Sequence, residues 1–152
     1  MAYDSTVDTR VHIAKVQGLL ADVITILQSR GTEHDLSKFS SPEKEAYDEL
    51  TPKLRDVQYG SEEYKEIIRE MRPAIDHHYQ KNRHHPEYYS NGIGGMSLID
   101  LLEMLVDWKA ASERSEKSVS FEKAFDINKK RFDINPQLAG ILWNTACELD
   151  WV

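Results

Sequence analysis

Apolar residues recur at helical rather than strand spacing through almost the whole chain, and that repeat leaves an all-α fold as the architecture it supports. From Thr6 to Ser29 the series Val7, Val11, Ala14, Leu19, Val23, Ile26 and Leu27 marks a first helix, ended by Arg30-Gly31 with Gly31 as C-cap. Residues 33–39, EHDLSKF, favour a short helix or the start of one. Ser41-Pro42 reads as the N-cap and first position of a helix reaching about Leu50, where Thr51-Pro52 interrupts it or starts another turn. Gly60-Ser61 opens the next helix, which runs to about Tyr79 with a kink at Pro73. Ser97, with Asp100 three residues on, caps the most apolar segment, which carries Leu98, Leu101, Leu102, Leu105, Val106 and Trp108. A polar linker at 112–120 precedes a helix from Ser120 to about Arg131, and Asn135-Pro136 begins the last one. Cys147 falls in the apolar pattern of that last helix and reads as a small core residue. The expectation is a compact bundle of six or seven helices with no strand.

A chain of 152 residues is long enough for one core and too short for two independent ones, so 1–152 is expected to form a single domain. Within it, 8–110 carries the chemistry and 120–152 is packing material or an oligomer face, which leaves room for a homodimer. A net charge of −7 argues against general affinity for nucleic acid, though not against a small anionic substrate. One cysteine excludes an internal disulfide and a Cys-rich zinc site. The first ten residues show no secretory leader and no stretch approaches bilayer-spanning length, so the expected location is cytoplasmic.

The chemistry-bearing residues crowd into 76–107. Four of the six histidines lie there as two pairs, His77-His78 and His84-His85; the others are His12 and His34, and Asp35 follows His34 at once. Imidazoles with carboxylates are the ligand set of a divalent transition ion, with Mn, Fe, Co, Ni or Zn all compatible. On a helix continuing past Asn82, His77 and His84 share one face and His78 and His85 the next, so only one of each pair would reach an ion. Lys38, three residues beyond Asp35, reads either as a surface ion pair or as a group that stabilises a phosphate oxygen. The irregular stretch EYYSNGIGG at 87–95 is a candidate substrate-facing wall or a plain connection. Asp107, amid apolar residues, is a metal ligand, the buried partner of a base or a solvent position.

His12, His34-Asp35 and Asp107 match in order the pattern of the HD-domain superfamily of metal-dependent phosphohydrolases, and His34-Asp35-Leu36-Ser37-Lys38 resembles the surroundings of its doublet, with Ser37 where glycine is common. His84-His85-Pro86-Glu87 and the loop to Gly95 resemble the superfamily's cyclic-dinucleotide phosphodiesterase branch, but the loop lacks that branch's Gly-Tyr-Pro motif, so its substrate is not carried over. The chain is also similar to a small family of phage and bacterial proteins with the same HD, HH and DW segments. The resemblance implies an HD-like helical bundle and one or two metal ions. His12, His34, Asp35 and Asp107 would be ligands, and His78 and His85 are candidates for an adjoining position. It further implies hydrolysis of a nucleotide or other small phosphoester. Asp35, Lys38, His84 and His85 would then be catalytic, His77 and His84 would bind phosphate or shuttle protons, and Tyr88 and Tyr89 would stack on a base or pack on the core. A di-iron oxygenase of the same fold is the rival enzyme, and a non-catalytic protein that binds a nucleotide or another protein is the rival outside catalysis.

Overall fold

The computed structural model describes residues 4–58, 60–114 and 118–152. Among them are six α-helices and three short 3-10 turns, with no strand. The helices are α1 (Thr6–Glu33), α2 (Glu43–Asp56), α3 (Glu62–Lys81), α4 (Leu98–Ser112), α5 (Phe121–Arg131) and α6 (Pro136–Glu148). The all-α expectation holds; part of the expected linker, 115–117, lies outside the described residues. The chain divides into two units, residues 1–34 and 35–152.

The first unit is the single helix α1. Gly31 does not end it; the helix continues to Glu33 and His34 is its C-cap. Side-chain bonds hold that last turn, from Thr32 Oγ1 to the Gln28 carbonyl and from Ser29 Oγ to Glu33 Oε1, both 3.0 Å. By length and composition alone, the helical stretch Thr6–Phe39 is long and apolar enough to cross a membrane, contrary to the expectation that no segment approaches that length.

The second unit holds two apolar clusters. Leu50 of α2 packs with Ile67 and Met71 of α3, and Tyr47, Leu54 and Ile75 pack at their margin. The larger cluster gathers α4, α5 and α6, with Met104 and Leu105 of α4 at 1% and 0% exposure. Burying a leucine that fully stabilises by about 1.5–3 kcal/mol, so α4 is the central helix, as its apolar run implies. α2 runs unbroken through Pro52 rather than stopping near Leu50. The proline sacrifices one backbone bond, but Leu50 and Leu54 on either side of it face the α3 cluster and offset the loss. The α2 cap also falls later than expected: the Ser41-Pro42 peptide is cis, Pro42 is the N-cap and Glu43 the first helical residue. On α6 the buried positions are Ala139, Leu142 and Ala146. Cys147, about 100° around from Ala146, is therefore exposed, not a core residue.

Candidate metal centre

α3 ends at Lys81, so the expected continuous face through His77 and His84 does not form. Asn82 is extended, and both its backbone N–H (3.1 Å) and its Nδ2 (2.8 Å) donate to the His78 carbonyl. This cap turns the chain out of the helix, and His84 and His85 reach the site from the turn that follows. Their rings lie 6.1 and 4.8 Å from that of His78. Within the first pair only His78 faces inward, at 3% exposure; both members of the second pair join it.

Asp35 completes the group from the start of the unit. It has left-handed backbone (φ 60°, ψ 13°), which aspartate tolerates better than most residues, and it leads into the 3-10 turn Leu36–Phe39. Its Oδ2 accepts from Lys38 Nζ at 2.5 Å. Its Oδ1 lies 3.3 Å from His78 Nε2 and 3.5 Å from His84 Nε2, and the Nε2 atoms of His78 and His85 are 2.9 Å apart. One donor atom from each of Asp35, His78, His84 and His85 lies within 4.8 Å of all the others. With bonds of about 2.0–2.1 Å, ligand atoms stand about 3.3 Å apart around a tetrahedral ion, so these spacings fit a first-row divalent ion. Three imidazoles and one carboxylate suit Fe, Co, Ni or Zn better than Mg or Ca.

Two further carboxylates lie against the rings, and sequence reasoning missed both. Glu43, fully buried at the head of α2, accepts from His77 Nδ1 and His78 Nδ1, each at 2.8 Å, and from Ser37 Oγ at 3.0 Å. Burial alone would raise its carboxyl; bonds from His77, Ser37 and His78 outweigh that and hold it below its ordinary value. Glu103 of α4 lies 3.1 Å from His84 Nδ1. Asp100, Glu103 and Asp107 share one face of α4 at i, i+3 and i+7, and the first two meet Arg83 and His84 in turn. Asp107 acts on His85 through its charge. That carboxylate spacing on an otherwise apolar helix was the available signal for Glu103; nothing in the local pattern set Glu43 apart from its solvated neighbours.

The 86–95 segment is built by two short turns, Pro86–Tyr88 and Gly92–Gly95. A Cβ on Gly95 would fall 2.8 Å from Tyr89 Cβ, so glycine there lets the loop close over the tyrosine. Tyr89 donates to Asp100 Oδ2 at 2.7 Å and is thereby fixed, while Tyr88 is 41% exposed with its ring edge-on to Tyr89. His77 is committed to Glu43. His12 and His34 belong to the first unit, His12 on the body of α1 and His34 at its C-cap.

Burial pushes His78 and His85 toward the neutral form that a metal requires. His78 is lowered by burial and then by the charge of Lys38, against the pull of Asp35 and Glu43. His85 is pushed down to about 3 by burial and by His84 and His78. A histidine whose folded pKa lies below its unfolded value near 6.5 stabilises the fold fully above that value, and the contribution is lost as pH falls toward the folded pKa. The metal-free protein is therefore expected to lose stability from pH 6.5 downward, by up to about 1.4 kcal/mol per pH unit per linked proton. Urea midpoints at pH 7.5 and 5.0 measure this, and His85→Gln should flatten the slope; an equal slope in that variant would remove His85 as its source.

No curated protein and no solved structure matches the chain. The family model of DUF5662, described as a family of unknown function, matches residues 1–148, and the chain belongs to that family.

Proposed function

We propose that the chain is a metal-dependent phosphohydrolase acting on a nucleotide or another small phosphoester. The observation that carries this reading is the convergence of Asp35, His78, His84 and His85 on one point, with Lys38 held against the outer oxygen of Asp35. The resemblance of the His34-Asp35 doublet and the later Asp107 to the HD-domain superfamily supports the same chemistry. When bound at these four donors, a divalent ion would supply Lewis-acid polarisation of a phosphoryl oxygen. Asp35 and the three imidazoles would hold it, and the Asp35 carboxylate keeps the Lys38 ammonium at 2.5 Å from its outer oxygen. There the lysine offsets charge that develops on the phosphoryl oxygens during the reaction. Tyr88, with an exposed ring, offers a face for a nucleobase, whereas Tyr89 serves as scaffolding.

Stripped protein reloaded with Mn²⁺, Fe²⁺, Co²⁺, Ni²⁺ or Zn²⁺ is expected to cleave at least one member of a panel of nucleoside mono-, di- and triphosphates and cyclic dinucleotides. Turnover should vanish with chelator. Loaded protein that cleaves none of them sinks the hydrolase reading, and oxygen uptake by the iron form would transfer it to an oxygenase.

A further inference from the structure

We infer that Glu43 and Glu103 are positioning residues for this centre. One comes from α2 and the other from α4, and they fix His78 and His84 as Nε2 donors aimed at the same ion. The inference rests on the proposed metal-binding reading and extends it to residues that touch neither ion nor substrate. A carboxylate only accepts hydrogen bonds, so a neutral imidazole presenting Nδ1 to it carries its proton on Nδ1 and leaves Nε2 bare. His78 meets this condition against Glu43 at 2.8 Å, and His84 meets it against Glu103 at 3.1 Å. Each Nε2 also faces a carboxylate oxygen, Asp35 Oδ1, but at 3.3 and 3.5 Å, so the shorter contact to the glutamate keeps the proton on Nδ1 and leaves the Nε2 lone pair for the ion.

Glu43 has support of its own. Asn82 Nδ2 donates to Ser37 Oγ at 2.8 Å, and Ser37 Oγ donates to Glu43 Oε2 at 3.0 Å, the oxygen that meets His78. The other oxygen takes His77, so this histidine acts from outside as an anchor for the carboxylate. The arrangement is costly to bury and is repaid by orientation, since a ligand ring held by an outer carboxylate neither flips nor swaps tautomers before the ion arrives. A glutamine at position 43 or 103 can present an amide N–H to the imidazole, which favours the proton on Nε2 and blocks the metal-binding lone pair.

The test uses the full chain, Co²⁺ as the probe, Glu43→Gln and Glu103→Gln, and exposed Glu45→Gln as control. Wild-type protein and the control are expected to bind Co²⁺ alike, and each buried variant 10–100-fold more weakly in chelator competition. Nitrogen-15 spectra of the metal-free protein should show His78 in Glu43→Gln, and His84 in Glu103→Gln, gaining the Nε2–H form. A purely structural role would lower the melting temperature without moving the tautomer. Glu103, at 10% side-chain exposure, tolerates substitution better than Glu43, so its variant keeps the test intact if Glu43→Gln does not fold. Variants that bind Co²⁺ within about threefold of wild type, with unchanged tautomers, would overturn the inference alone, because 10–100-fold is the effect such partners have. Wild-type protein that takes up no Co²⁺ would overturn the metal reading with it.

Discussion

Asp35→Asn is expected to lower metal affinity by more than about 100-fold, beyond the 10–100-fold range typical of outer carboxylates, and to leave the metal-free fold within about 1 kcal/mol of wild type. The two effects separate because asparagine matches aspartate in shape and tolerates the left-handed backbone that Asp35 adopts at φ 60°. What it removes is the only carboxylate among the four converging donors. The ion pair with Lys38 disappears too, but the lysine side chain is 40% exposed and such a pair contributes little to stability. Asp35→Ala should add the backbone penalty of about 1–2 kcal/mol to the same loss of metal. Metal content after desalting, read beside urea midpoints, distinguishes the outcomes. An Asp35→Asn protein that still carries one equivalent of metal would remove Asp35 from the ligand set.

The other large effect is expected at a residue that holds no metal. Asp100→Ala should destabilise the fold by about 3 kcal/mol, near the lower end of what breaking a buried ion pair costs, because its partner Arg83 is 51% exposed. Asp100 is itself fully buried. It accepts from Arg83 Nε and Nη2 at 3.2 and 3.3 Å, from Tyr89 at 2.7 Å, and from Ser97 N–H and Oγ at 2.9 and 2.8 Å. Burial alone would raise its carboxyl; the bonds from Ser97, Arg83 and Tyr89 outweigh that and hold it well below the ordinary 3.8. Its contribution is therefore present above pH 3.8 and fades as the pH falls toward the folded value, so the gap between wild type and variant should narrow in strong acid. Arg83 immediately precedes His84, and its release should also weaken metal binding. Equal melting temperatures at pH 7 would show that the surrounding donors find water at no cost.

Where the chain carries its own end signals, helix boundaries were legible. Ser61, Ser97, Ser120 and Asn135 each cap a helix by accepting from a backbone N–H three residues on. Gly31 and Pro52 misled because they act on one backbone position, while neighbouring side chains decide whether the helix goes on. The site divides along the same line. Histidine pairs and the Asp35 doublet are visible as residue types, so the cluster's membership can be guessed. That both rings of the second pair reach the site depends on Asn82 ending α3 through its bonds to the His78 carbonyl, which the helical pattern alone did not show. Glu43 was hidden for a further reason: its partners lie 34 and 35 residues ahead, across the α2–α3 hairpin.

Three of the four converging donors fall within eight residues, His78 to His85, while Asp35 stands 43 residues before the first of them. An unfolded chain therefore retains a short histidine-rich tract able to capture an ion by itself. Metal that binds the denatured ensemble offsets part of what it contributes to the native one. The rise in melting temperature on loading should accordingly fall short of the value implied by native affinity, and refolding in the presence of excess ion begins from a chain already cross-linked at three histidines.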